Sequence, residues 1–320
     1  MKKFNLLAVM AVVLTLFSAC QQEELEVQQS DEKLVMDEQL KQIAFSVDEN
    51  CLNFESEQEL QKLLDYLVEK GDNFFPYFEE NVGFDSYRSY YEDKPGRSEK
   101  MIDDLIATVI SPEGTIVIGN YLFKVNFESE KTEVYSMTEI SGGLKNLSMY
   151  DASEPIVFRW TDDIFAILND EVMLKSYCNS DQDRKHSSIF TGSEADKNFW
   201  FEAQAKLNYQ NFGFIHTIIS KFKITSYKYS SGARPIFLFV MDIDGYYDRK
   251  RESRRSVNEH IQKDVRNHDD EVSWRPFYGT RRVQSFSIET NFSYKVLQYG
   301  ISPFYNGFTD NVTQLSISCN

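Results

Sequence analysis

The stretch SPEGTIVIGNYLFKVNFESEKTEVYSM, Ser111–Met137, decides the fold. Ser111-Pro112-Glu113-Gly114 is a turn, with Pro and Gly where turn dihedrals want them. Thr115 to Ile118 is a β-branched run, and Gly119-Asn120 is a two-residue hairpin signal. Tyr121 to Phe127 alternates apolar and polar, Glu128 to Lys131 turns the chain, and Thr132 to Met137 alternates again. Period-2 patterning broken by short turns predicts an antiparallel β-meander.

Upstream the period changes. Ile43–Val47 and Cys51–Phe54 read as short strands. Ser56-Glu57-Gln58-Glu59 fits a capping box. Leu60, Leu63, Leu64 and Leu67 form one helical stripe, and Gly71 ends it, which predicts a helix over 57–70. A short helix is expected near 84–92, and another capped by Ser98 with Met101, Ile102, Leu105 and Ile106 on one face. Downstream, Thr161-Asp162-Asp163 could cap a short helix over 162–169, or 164–168 is a buried strand. Residues 178–198 read as a loop. Phe199–Leu207 begins a strand, Phe212, Phe214, His216 and Ile218 alternate, and IFLFVMDI (236–243) suits a central strand. Residues 249–271 are charged and read as a long loop or exposed helix. Strands are expected near 282–289, 292–299 and 311–318. The fold class is mainly β (α+β): short N-terminal helices packed on a β-meander, followed by an antiparallel β-sandwich or open-barrel half.

The N-terminus, MKKFNLLAVMAVVLTLFSAC, has a basic start, an apolar run from Leu6 to Phe17 and two small residues before Cys20. That is the three-region pattern of a secretory signal. Phe17-Ser18-Ala19-Cys20 resembles the lipobox of bacterial lipoproteins, in which the Cys is acylated and becomes the first mature residue; Phe17 departs from the usual Leu. The resemblance makes Cys20 the lipidation site and the lipid the membrane attachment. The acidic segment after it reads as a disordered tether. Gln21-Gln22-Glu23-Glu24 also resembles the export tag of Bacteroidota surface lipoproteins, which implies an outer-membrane lipoprotein facing the exterior; a plain spacer and the periplasmic face are the alternative. Leu52–Ser56 leading into a helix, and Val109–Val125, look like segments of uncharacterised gut Bacteroidota lipoproteins. That likeness concerns architecture and carries over no catalytic residue. The expected organisation is a signal peptide at 1–19, lipidated Cys and tether at 20–42, helix and meander at 43–150, and a β-rich region at 151–320, continuous with the preceding one or separate.

The chain carries 34 basic and 50 acidic residues, net charge −16. Such acidity argues against nucleic acid, whose binding rests on neutralised phosphates. It also argues against attraction to anionic lipid. With Cys20 lipidated, Cys51, Cys178 and Cys319 remain, allowing one disulfide or three buried thiols. No cofactor motif is present, and GxSxG, P-loop and HExxH patterns are missing.

Three groups are candidate sites. Asp242, Asp244 and Asp248 around Gly245 could hold a cation, although the EF-hand spacing fails and an Asp-Gly turn reads as well. His260 and His268 with Asp264, Asp269 and Asp270 are the densest set of metal-ligand types; His260 and Asp264 share a face if 257–268 is helical, and a solvated charged segment is the alternative. Arg249-Lys250-Arg251 and Arg254-Arg255 form a basic knot suited to an acidic glycan or protein partner, or to balancing nearby carboxylates. Tyr278-Gly279-Thr280 matches part of a perforin-like signature whose other residues are absent. Three functions stay open. One is a non-enzymatic binding module for a glycan, peptide or partner protein, whose glycan form needs Trp160, Trp200 or Trp274 exposed. The second is an assembly protein using strand addition. The third is a glycan hydrolase, which needs an acidic cleft with a perturbed pKa.

Overall fold

The computed structural model describes residues 38–137, 155–169, 183–191, 200–228, 236–249, 253–265, 271–298 and 309–319. The chain divides into the units Met1–Met36 and Asp37–Asn320, and every described residue lies in the second. Cys20 and residues 21–37 of the expected tether lie outside the described residues, while 38–42, also assigned to the tether, belong to the fold: Glu38–Lys41 is helical and Leu40 is buried.

The fold is mainly β, with short helices toward the N-terminus. After α1 (Glu38–Lys41) come β1 (Phe45–Asp48) and β2 (Cys51–Phe54), then α2 (Glu57–Lys70). Ser56 caps α2 by accepting from Glu59 N. The capping box is only half made. Glu59 turns its carboxylate to Ala44 N (2.8 Å) and Lys62 (2.6 Å), so it ties the helix to the preceding chain. Leu60, Leu63, Leu64 and Leu67 are each fully buried. Burying each such side chain contributes about 1.5–3 kcal/mol, so the stripe, more than the cap, holds α2 in place.

α3 (Phe75–Val82), α4 (Tyr87–Tyr90) and α5 (Asp104–Val109) follow. The cap of α5 is Asp103, which accepts from Leu105 N, and not Ser98 as the spacing suggested. These helices form the crossover that lets β2 pair in parallel with β3 (Thr115–Ile118). β3, β4 (Tyr121–Asn126) and β5 (Lys131–Ser136) are the expected meander. β6 (Ile156–Arg159) completes a six-stranded sheet in the order β1-β2-β3-β4-β5-β6, so this layer continues past residue 150. α6 (Ile164–Leu168) is capped by Asp163, which settles the helix against the buried-strand alternative.

The remainder is an antiparallel sandwich. One sheet runs β11-β10-β13-β14, the other β12-β9-β8-β7. The strands are β7 (Asp183–Thr191), β8 (Trp200–Asn211), β9 (His216–Lys228), β10 (Ile236–Arg249), β11 (Arg255–Val265), β12 (Glu271–Gly279), β13 (Val283–Gln298) and β14 (Thr309–Cys319). Alternate residues face inward: Ala203, Ala205, Leu207 and Tyr209 from β8 meet Phe237, Phe239, Met241 and Ile243 from β10. Phe222 stacks on Phe239 with ring centres 4.0 Å apart.

Several expectations are corrected. Residues 183–191 are a strand and not a loop: β7 is an edge strand paired with β8. Residues 255–265 are neither loop nor helix. β11 is an edge strand, and charges on an edge discourage pairing with other chains. The two strands expected over 282–299 are one sixteen-residue strand, β13. Phe212 and Phe214 lie in the β8–β9 turn and not in a strand. Gly213 (φ +82°) shapes that turn, and a Cβ there would meet Ile164 at 2.7 Å. The turn inserts two phenylalanines into the first layer: Phe212 lies 4.6 Å from Trp160, and Phe214 lies 5.0 Å from Phe123.

The other face of the β12-β9-β8 sheet carries polar groups that dock the helices. Gln210 accepts from Asp103 N (2.9 Å) and donates to Lys100 O (2.5 Å). Lys221 bridges Asp104 (3.1 Å) and Glu271 (2.8 Å). Arg275 reaches Asp103 (2.8 Å) and Asp72 (2.6 Å).

Candidate functional site: an arginine cleft

The basic knot acquires a setting in three dimensions. β10 and β11 form a hairpin with Tyr247 opposite Arg255, which places Arg249 and Arg255 at one end of the sandwich. The corner from β12 into β13 comes to the same end and contributes Thr280, Arg281 and Arg282. The first turns of α2 supply Glu57, Gln58, Gln61 and Asp65, and the α6 cap supplies Asp163. Together with Tyr247 and Tyr278 these residues line a cleft of about 640 Å³, within the range of roughly 300–1,000 Å³ usual for small-molecule sites.

Thr280 fixes the corner against α2. Its N–H donates to Gln61 Oε1 (3.0 Å) and its hydroxyl to Glu57 Oε1 (2.9 Å). Arg281 pairs with Glu57 at 2.5 Å. Arg249 donates to Tyr278 O (3.3 Å) and lies 5.0 Å from the centre of the Phe277 ring. Arg282 is 4 % exposed. Behind it lie Tyr209, whose phenol is pushed up to about 12 by burial, and His216. Burial, then the Arg282 charge, hold His216 well below its ordinary value, so its imidazole is neutral at pH 7. Its Nδ1 lies 3.5 Å from the Tyr209 hydroxyl, and its Nε2 has no hydrogen-bond partner. Burial raises Glu57 despite Arg281 and Thr280. Burial and then Asp65 push Tyr278 up to about 12.

The other candidates disperse. Asp242 pairs with His260 (2.6 Å), Asp244 accepts from Asn258 (2.5 Å), and Asp248 pairs with Arg254 (3.0 Å) and Ser285 (2.6 Å). Asp242-Ile243-Asp244-Gly245 is neither a calcium loop nor a turn, because it lies inside β10. His260 and Asp264 lie on an extended strand, about 13 Å apart at four residues' spacing. Among the described residues no group of three or more His, Cys, Asp or Glu could hold a metal. Lys250, Arg251, His268, Asp269, Asp270 and Cys178 lie outside the described residues. Cys319 is disulfide-bonded and Cys51 is a buried free thiol. Trp160 is buried and Trp274 is 37 % exposed, while the Trp200 side chain is outside the described set.

Arg281 and Arg282 were not singled out from the sequence. The signal available was an Arg pair directly after a Gly-Thr strand end, matched by the pair flanking the 249–255 hairpin. Nothing local says that the two ends meet. A second groove of about 840 Å³ lies between α3–α5 and the sandwich, but its charges balance, with five basic residues, Lys223 and Lys263 among them, and five acidic ones in its lining. A third groove, of about 610 Å³, sets Arg97, Lys206, Lys221 and Lys223 against Glu99, Asp104 and Glu271. The arginine cleft differs from both in that its cations are all guanidiniums. Its lining holds four guanidiniums and three carboxylates in a chain of net charge −16. Guanidinium forks suit bidentate recognition of carboxylate, sulfate or phosphate.

No family model matches the chain. No curated protein matches it. Among solved structures it is similar to the crystal structure of a DUF4848 family protein from Bacteroides thetaiotaomicron, at 9 % identity over 78 % of this chain and 94 % of that one, with a TM-score of 0.20. A likeness of that size carries no argument about fold or function.

Proposed function

We propose that the protein is an exported, lipid-anchored binding protein of the cell envelope, facing the exterior, whose arginine cleft takes an anionic ligand without turning it over. The observation that carries the binding role is the convergence of Arg249, Arg255, Arg281 and Arg282 on one cleft with Tyr247 and Tyr278. The lipobox-like end at Cys20 supports the anchor. The disulfide at Cys319 fits an oxidising compartment. No helix among the described residues is long and apolar enough to cross a membrane, so the lipid would supply the attachment.

A hydrolase reading can point to three carboxylates in the cleft, Glu57, Asp65 and Asp163, and to a raised Glu57. However, Glu57 is engaged by Arg281 and Thr280, which gives it a structural task. Strand addition has one observation in its favour: β6 is an edge strand whose Ile156 and Val157 are each 52 % exposed.

The test of the binding role is retention of the mature chain on a polyanionic resin. Retention that falls as salt rises, and is lost in Arg249→Gln/Arg255→Gln, fits the account, because exposed charge pairs are screened. Equal retention of the double variant contradicts it. The anchor is tested by protease shaving of intact cells. Cleavage from outside, with loss of Cys20→Ala from the membrane fraction, is expected. A shaving-resistant wild type in the membrane fraction places the body in the periplasm.

A further inference from the structure

We propose that Glu57 is a built-in competitor for the ligand of the arginine cleft: in the free protein its carboxylate occupies the Arg281 guanidinium, and an anion must displace it. This rests on the anion-binding reading above and adds the regulation of that site.

The contact is placed where a ligand would meet it. Glu57 and Arg281 both line the cleft, and Arg281 Nε lies 2.5 Å from Glu57 Oε1. The Arg281 side chain is 40 % exposed, so an anion in the cleft can reach it. A carboxylate or sulfate grips a guanidinium best along one edge, through two parallel N–H bonds. Glu57 already holds Nε, which one such edge requires. The same Oε1 also accepts from the Thr280 hydroxyl (2.9 Å), so the carboxylate is steadied over Arg281 without a ligand.

Charge acts with the same sign as geometry. An ionised Glu57 repels any anion that approaches Arg281, and it is largely buried, where salt screens little. The other charged groups of the cleft are Arg281 and Arg282 from the β12–β13 corner, Arg249 and Arg255 from the β10–β11 hairpin, Asp163 from the α6 cap and Asp65 from its own helix. Burial and, more weakly, Asp163 favour the protonated acid; Arg281 and Thr280 favour the carboxylate, and burial prevails. Protonation therefore sets in above about pH 4.3, the ordinary value for Glu. A neutral Glu57 still accepts from Thr280 but no longer opposes an anion. Acid thus releases the competitor.

The test is titration calorimetry of the mature chain with a short dextran sulfate, whose sulfate esters stay ionised throughout. Glu57→Gln imitates the neutral acid and keeps an acceptor for Thr280. Glu69→Gln, exposed in the last turn of α2, removes the same charge away from the cleft. At neutral pH Glu57→Gln is expected to bind about tenfold more tightly than wild type, and Glu69→Gln at most about twofold. The Glu57→Gln advantage should shrink toward about pH 4.3 and vanish in an Arg281→Gln background. Binding by Glu57→Gln no tighter than by wild type or Glu69→Gln overturns the competitor and leaves the anion site standing. So does an advantage that is independent of pH or survives Arg281→Gln. No binding by any of these chains at either pH overturns both.

Discussion

Arg275 donates to Asp103 Oδ1 across 2.8 Å, with the side chains 5 % and 0 % exposed. The edge strand β12 and the cap of α5 are thereby joined through a buried ion pair. The sandwich carries the guanidinium, and the helical layer carries the carboxylate.

Breaking one half of that pair is expected to be severe. Arg275→Met leaves Asp103 buried without its partner, which costs about 3–5 kcal/mol. Arg275→Met/Asp103→Asn removes both charges and should recover much of the loss. Asn can still cap α5. Urea unfolding of the three variants measures this. A double variant no better than the single one would mean that the pair is not the main link.

Gly245 sits within β10 at φ +143°, and a Cβ there would meet Ser287 O at 2.0 Å. Backbone cannot yield as a side-chain tip can. Gly245→Ala is expected to destabilise by at least about 3 kcal/mol, the upper end for overpacking. The readout is the thermal midpoint, and an unchanged value would show that β13 can shift.

Acid should act on the fold in two stages. Burial raises Glu57 and Glu79 above their ordinary value, despite Arg281 and Arg88. A carboxyl with a raised folded pKa binds its proton more tightly when folded, so stability rises as pH falls toward about 4.3, the unfolded value for Glu. Asp104 has the opposite sign. Burial would raise it, but Lys221 and Arg97 overcome this and hold it well below the carboxylate range. Its contribution is full above about pH 4 and is lost as pH falls through its folded pKa. Urea midpoints should therefore change little or rise from neutral to about pH 4.3 and then fall steeply. In Asp104→Asn the neutral value should be lower and the acid fall shallower. An acid limb unchanged in that variant would contradict this assignment.

Burial pushes the Cys51 thiol up to about 12, so its reactive thiolate is scarce at pH 8. Mass-spectrometric mapping should find Cys51 unalkylated in the native protein and labelled after unfolding. Cys319 should be labelled only after reduction. Native labelling of Cys51 would mean that the first sheet opens readily.

Where local chemistry coincided with tertiary need, the sequence was readable. Ser56, the leucine stripe and Gly71 all favour the same helix, and α2 ends at Lys70 as they require. The meander was equally plain, since Gly119-Asn120 and the alternation at Tyr121 point the same way. Legibility failed where a residue served a distant partner. β11 is charged because its edge faces solvent, and charge alone resembles a loop. Gly245 looked like a turn, yet it is there because Ser287 passes close. The cleft was half visible: Arg249 and Arg255 stood out as part of a knot, while Arg281 and Arg282 join them only because both corners come to one end of the sandwich.

The most direct test of the central claim is hydrogen exchange of the mature chain with and without the polyanion it retains. Added protection is expected at residues 246–249, 253–256 and 277–283 and in the first turns of α2, where the cleft is built. Protection confined to the groove between α3–α5 and the sandwich, or no protection anywhere, would contradict the assignment of the arginine cleft as the binding site.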